Sequence, residues 1–157
     1  MAATTPEAGD PAPDFNLEVD GGGTVSLEKL RGKPVVLYFY PKDDTPGCTK
    51  EAIAFTGVLD DFEAAGTTII GVSKDSCASH AKFRGKYMLE HVLAADEDGK
   101  VCEAYGVWVE KINYGRKYMG IQRATFLING DGIISRVWPK VSVSGHAEDV
   151  LEAVRAL

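Results

Sequence analysis

Val35-Val36-Leu37-Tyr38-Phe39-Tyr40 is an unbroken run of β-branched, aliphatic and aromatic residues, and it constrains the fold more than any other stretch. An element that is apolar at every position, not at alternate ones, suits a central strand buried on both faces. Pro41 ends it, because proline cannot donate to the next ladder bond. Thr45-Pro46-Gly47 is turn chemistry, and the next residues read as a helix whose first turn contains Cys48. Ala52, Phe55, Leu59 and Phe62 recur at steps of three and four and give that helix one apolar face, with Gly66 where a C-terminal cap is expected.

The same period arguments place the other elements. Residues 14–19 alternate polar and apolar as a strand, Gly21-Gly22-Gly23 is a turn, and Thr24–Leu27 is the partner strand. Ser26 is positioned to cap a short helix that runs through Leu30 and closes at Gly32. Strands are predicted at 67–72 and 91–94. Helices are predicted from the Ser73–Ser76 cluster to about Tyr87 and over 100–105. Residues 108–122 read as irregular. Asn129-Gly130-Asp131-Gly132 between two apolar runs, 124–128 and 133–137, predicts a hairpin. A closing helix puts Val150, Leu151, Val154 and Leu157 on one face. Strands alternating with helices give an α/β chain: a thioredoxin-like fold with a central mixed β-sheet flanked by helices and an N-terminal β-hairpin extension. The 157 residues suit one domain spanning 1–157, with residues 1–12 as a loosely held lead-in.

Composition excludes several functions. With 23 Asp plus Glu against 17 Lys plus Arg, the formal charge of −6 repels phosphate backbones, so nucleic acid is not an expected partner. No apolar run is long enough for a membrane span. Met1–Glu7 has neither a basic n-region nor an apolar h-region, so it does not read as a secretory signal, and cytoplasm is the expected location. The three cysteines, Cys48, Cys77 and Cys102, are an odd and widely spaced set, suited to free thiols in a reducing compartment. Neither they nor the three histidines show zinc-ligand spacing, and neither metal nor cofactor is expected. Asp96-Glu97-Asp98-Gly99 opens like a calcium loop but lacks the closing acid, so it reads as a turn.

The chemistry concentrates at Cys48. Backbone N–H groups in the first turn of a helix lack intrahelical partners, and the dipole is positive there, so a thiolate is stabilised. Thr45 stands three residues earlier, with a hydroxyl able to donate to one partner beside the sulfur and accept from another. A dithiol oxidoreductase would need cysteine at that place, and threonine cannot close a local disulfide.

Pro41-x-x-x-Thr45-x-x-Cys48 resembles the peroxiredoxin signature. The string from Tyr38 to Thr49 is similar to the peroxiredoxin Q branch, also called bacterioferritin comigratory protein. Gly71-Val72-Ser73 with Asp75, Ser79-His80, Val101-Cys102-Glu103, Tyr105–Trp108 and Arg123–Ile128 extend the likeness over nearly the whole chain. The resemblance implies that Cys48 attacks the peroxide, with Thr45 and Pro41 completing the loop. It implies that Arg123 stabilises the thiolate and that Glu51 orients Arg123. The substrates would be hydrogen peroxide and organic hydroperoxides. Thioredoxin, glutaredoxin or a small thiol would be the reductant, and the chain a monomer.

This chain departs from the branch at the resolving cysteine. The two usual positions are Ile53 and Arg84 here, which implies a one-cysteine cycle closed by an external thiol. Cys77, seven residues before Arg84 on the same helix, is the candidate for a relocated resolver in a two-cysteine cycle. A peroxide sensor that passes oxidation to a partner protein as a mixed disulfide is the alternative to a scavenger. Cys102 reads as a packing residue, and His80 as an ordinary hydrogen-bonding histidine.

Overall fold

A computed structural model describes residues 5–157, and the first four residues of the expected lead-in lie outside them. The apolar run is a strand with every residue buried, as its pattern requires. The elements in chain order are β1 (Asn16–Val19), β2 (Thr24–Ser26), a 3-10 turn (Glu28–Leu30), β3 (Val35–Phe39), α1 (Pro46–Gly57), α2 (Leu59–Ala64), β4 (Thr68–Ser73), α3 (Cys77–Tyr87), β5 (Val92–Ala95), α4 (Lys100–Ala104), β6 (Trp108–Asn113), β7 (Arg116–Ile121), β8 (Ala124–Ile128), β9 (Ile134–Trp138) and α5 (His146–Arg155). Seven strands form one mixed sheet in the order β2-β1-β5-β4-β3-β8-β9. β3, β4 and β5 are parallel, while β1, β8 and β9 join antiparallel. This is the thioredoxin-like α/β sheet expected, with the β1–β2 hairpin added at one edge.

Alternate residues of β3 feed two cores. Val35, Leu37 and Phe39 pack with Ile70, Val72, Tyr105 and Phe126 on one face of the sheet. Val36, Tyr38 and Tyr40 pack with Phe55, Phe62, Phe83, Val150 and Cys48 on the other. Each fully buried side chain of this size contributes roughly 1.5–3 kcal/mol, so the sheet centre dominates the stability. The side carrying α1, α2, α3 and α5 also carries Cys48.

Four expectations needed correction. Residues 108–122 are not irregular: β6 and β7 form a separate two-stranded hairpin, turned by Tyr114 and Gly115, both at positive φ. Those φ values match the primed turns that suit a tight hairpin. The helix after Cys48 is two helices, because the chain breaks at Gly57-Val58, where a glycine and a β-branched residue both disfavour helix. Leu59 and Phe62 still point inward across that break, which is why the apolar period continues through it. Leu157 is exposed and leaves the buried face of α5 to Val150, Leu151 and Val154. Finally, residues 9–12 of the lead-in are tied down. Gly9 N–H donates to the Ile134 carbonyl at 2.8 Å, and Ala12 N–H to the Gly132 carbonyl at 2.9 Å.

Local signals elsewhere held. The Ser26 hydroxyl accepts the Lys29 N–H at 3.3 Å at the 3-10 turn. Asn129 Oδ1 accepts from Asp131 and Ile133 N–H groups in the β8–β9 turn. Among the described residues no helix is long and apolar enough to cross a membrane.

Candidate active site

The place of Cys48 follows from where β3 stops. The chain leaves the sheet after Phe39, turns through Pro41–Asp44, and enters α1 at Pro46. Thr45 is the extended residue before it, and its carbonyl accepts the Thr49 N–H at 2.8 Å. Cys48 is therefore the third helical residue, within the positive end of the helix. It is 2% exposed.

Arg123 reaches the same point for a topological reason. β8 lies beside β3 and runs antiparallel to it, with Ala124 opposite Phe39. The residue before Ala124 thus sits at the end of the sheet where the chain leaves β3 toward α1. Arg123 Nη2 donates to Cys48 Sγ at 3.4 Å, and Nη1 donates to Glu51 Oε1 at 2.7 Å. Glu51 lies on α1 one turn beyond Cys48, so a single guanidinium spans both. A β-carbon at Gly47 would stand 3.1 Å from Arg123 Nη2, so glycine keeps the approach open.

Charge balance at the site is unusual. Glu51 is 1% exposed, and its Oε2 has no hydrogen-bond partner. Burial pushes its carboxyl up to about 7, against the opposing pull of Arg123. Burial disfavours the Arg123 cation, but Glu51 and Cys48 more than compensate and raise its pKa. Lys111, on β6, is a further cation nearby: burial and the Arg123 charge lower its pKa, while Cys48 opposes them. Sequence reading missed Lys111 because its segment showed no strand period. The guanidinium and the helix start both place positive charge beside the sulfur.

The remaining candidates are placed as follows. The Thr45 hydroxyl donates to the Lys42 carbonyl at 2.8 Å, not to the sulfur, and keeps its lone pairs free to accept. Pro41 lines a cleft of about 320 Å³ with Lys74, Trp108, Lys111, Tyr118 and Met119. A larger cleft of about 710 Å³ between Asp14–Asn16 and Ser26–Lys29 holds no nucleophilic thiol. All three cysteines are free. Cys77 opens α3 and lines a shallow cleft with Glu18, Val19 and Gly21–Thr24. Burial raises its pKa, and Glu18, Glu97 and Asp20 add to the effect. Cys102 is wholly buried, and burial and Asp96 push its thiol far above the usual range.

The two usual resolver positions hold residues without a thiol. Ile53 is exposed on α1. Arg84 pairs with Asp20 and donates to the Leu89 and His91 carbonyls at 2.6 and 2.9 Å, stitching α3 to the first and fifth strands.

The chain is similar to known proteins over nearly its whole length. The AhpC/TSA family matches residues 8–137. A putative peroxiredoxin bcp of Coxiella burnetii is 53% identical over 145 residues, 92% of this chain and 96% of that protein. Peroxiredoxin Bcp of Bacillus subtilis is 46% identical over 151 residues, 96% of each chain. The bacterioferritin comigratory protein of Xanthomonas campestris, whose structure is described in terms of alkyl peroxide reduction, superposes with a TM-score of 0.88 at 40% identity, covering 98% of both chains. With a cysteine at a helix start, an arginine on its sulfur and relatives matched nearly end to end, this chain belongs to the AhpC/TSA family, in the peroxiredoxin Q branch of thiol-dependent peroxidases.

Proposed function

We propose that the Cys48 thiolate attacks the terminal oxygen of a peroxide in line with the O–O bond. The S–O bond forms, the O–O bond breaks, water or an alcohol leaves, and Cys48 becomes a sulfenic acid. The observation that carries this reading is Arg123, with Nη2 on the sulfur at 3.4 Å and Nη1 anchored on buried Glu51. A fixed cation there favours the thiolate and the charge that develops on the peroxide. Thr45, its proton committed to Lys42, is free to accept the peroxide O–H. Pro41 contributes no competing N–H and borders the cleft whose apolar walls, Trp108, Tyr118 and Met119, suit an organic hydroperoxide as well as hydrogen peroxide.

Both usual resolver positions are filled, by exposed Ile53 and by Arg84 in its salt bridge, which supports a one-cysteine cycle. An external thiol of the thioredoxin, glutaredoxin or small-molecule type then reduces the sulfenate, in a monomer working in a reducing cytoplasm. The same two positions favour, as a second reading, a relay that hands oxidation to a partner protein as a mixed disulfide.

The test is peptide mass spectrometry after one equivalent of hydrogen peroxide, with and without a sulfenate trap. A trapped sulfenate on Cys48, with Cys77 and Cys102 still free, is expected. A crosslinked Cys48–Cys77 peptide would establish a two-cysteine cycle instead. A Cys48 that stays reduced would remove the peroxidase reading.

A further inference from the structure

His80, on α3, is wholly buried and plays no part in the reaction as drawn. Its Nδ1 lies 2.7 Å from Asp43 Oδ2, and its Nε2 lies 3.0 Å from the Ala94 carbonyl on β5. A carbonyl oxygen only accepts. An ionised carboxylate also only accepts, so a ring between the two needs hydrogen on both nitrogens. Asp43 accepts from its other neighbours, Tyr40 O–H to Oδ1 at 2.6 Å and Ser79 O–H to Oδ2 at 2.8 Å, and these donors favour its ionised form.

Asp43 belongs to the loop that leads into α1. Its backbone N–H donates to Asp75 Oδ2 at 2.8 Å, and Ser73 O–H holds that carboxylate at 2.7 Å. The next residue, Asp44, sits at φ +57°, a conformation rarely adopted by L side chains, and bonds to Lys86 and Tyr87 near the other end of α3. The loop is thus gripped at two points along one helix.

We propose that His80, as a buried imidazolium, is the positioning residue that clamps the Pro41–Thr45 loop to α3 through Asp43 and so holds the start of the Cys48 helix in place. This rests on the reading above only in taking that loop as the reaction site. Any motion that carries the loop away from α3 must break the Asp43 bonds to Ser79 and His80, so the clamp sets how firmly the loop and the first helical turn, with Cys48 2% exposed, are held in place.

The clamp has a defined pH window. Burial disfavours the His80 cation, but its bonds to Asp43 and the Ala94 carbonyl, with Asp75 nearby, outweigh burial and raise its pKa. Burial likewise disfavours the Asp43 anion, but His80, Tyr40 and Ser79 outweigh it and lower its pKa. Tyr40, the phenol from β3 facing the pair, titrates well above its usual range and stays neutral. The histidine's contribution is full below its usual value of about 6.5 and is lost as the pH rises through the raised one. The aspartate's contribution is lost as the pH falls through its lowered value, so the clamp is strongest between the two.

Two measurements test it, and neither uses peroxide. Long-range proton–nitrogen NMR of the histidine rings in the wild-type protein at neutral pH should show both His80 nitrogens protonated; a neutral tautomer overturns the proposal. Hydrogen exchange by mass spectrometry should show residues 41–52 exchanging about tenfold faster in His80→Asn and Asp43→Asn, with the β8 and α5 peptides unchanged. The gap to wild type should close as the pH rises through the His80 titration, after correction for intrinsic exchange. Equal protection of 41–52, a loss spread evenly over the chain, or a gap that ignores pH would each refute the clamp. If a variant does not fold, the wild-type NMR and a fall in 41–52 protection with rising pH decide alone. An unreactive Cys48 would overturn the reaction assignment while leaving these readouts intact.

Discussion

Replacing Glu51 by glutamine should make the protein relatively more stable as the pH rises, an unusual outcome for removing half of a buried ion pair. The magnitude follows from the position of the carboxyl. Glu51 is buried, Oε2 is unpartnered, and its pKa in the fold is about 7 against the ordinary 4.5. Between those values the folded state binds more protons than the unfolded chain, so stability falls as the pH climbs. Each pH unit of that interval costs about 1.4 kcal/mol, roughly 3 kcal/mol in all, set against a total of roughly 5–15 kcal/mol for a domain. Glutamine keeps an acceptor for Arg123 Nη1 but never ionises. Relative to wild type it should therefore gain about 3 kcal/mol between about pH 4.5 and about pH 7.5, and nothing further above that. Urea unfolding of the reduced proteins at several pH values measures this. With a slope of about 1–3 kcal/mol per molar urea, the midpoint difference should change by about 1 M or more. Groups other than Glu51 titrate in both proteins and cancel. If the difference between wild type and variant stays flat across that range, Glu51 titrates as an ordinary carboxylate, and the desolvation argued for this site is wrong.

Three further substitutions probe the sulfur's surroundings. Arg123→Met removes the donor at 3.4 Å and should slow oxidation of Cys48 by hydrogen peroxide about 10²–10³-fold in stopped-flow measurements. A change below about threefold would free Arg123 of the role assigned to it. Thr45→Val nearly preserves shape but loses the acceptor aimed at the peroxide. The same assay should show a large loss, while alkylation of Cys48 by iodoacetamide at neutral pH stays near wild type, and parallel losses in both would point to a displaced loop instead. Gly47→Ala places a methyl 3.1 Å from Arg123 Nη2 and should displace the guanidinium, slowing both peroxide oxidation and alkylation. Wild-type rates in that variant would mean that Arg123 tolerates the shift.

Much of the site was legible because it is local. The buried strand, the proline that stops it and a cysteine in the first turn of a helix depend on residues within about a dozen positions, where backbone chemistry decides the outcome. The β8–β9 hairpin followed from Asn129–Gly132 for the same reason. The β6–β7 hairpin escaped because most of its residues are exposed, so burial imposes no alternation, and only Tyr114-Gly115 marks its turn. The break at Gly57-Val58 escaped because the inward face continues across it.

By itself, the sequence determined the α/β layering and the position of Cys48 at a helix start, and resemblance added that Ile53 and Arg84 stand at the usual resolving positions. Resemblance pointed to Arg123 and Glu51, but the contact of Arg123 with both the sulfur and Glu51 depends on the antiparallel pairing of β8 with β3, which brings residues 48 and 123 to one end of the sheet. The Asp43–His80 pair likewise exists only because α3 packs beside the loop, 37 residues away in the chain. Contacts across such separations leave no period or spacing in the sequence. They arise when burial of two apolar faces on one sheet sets the distances; burial then raises the Glu51 carboxyl, while the partners that packing brings to His80 outweigh burial there.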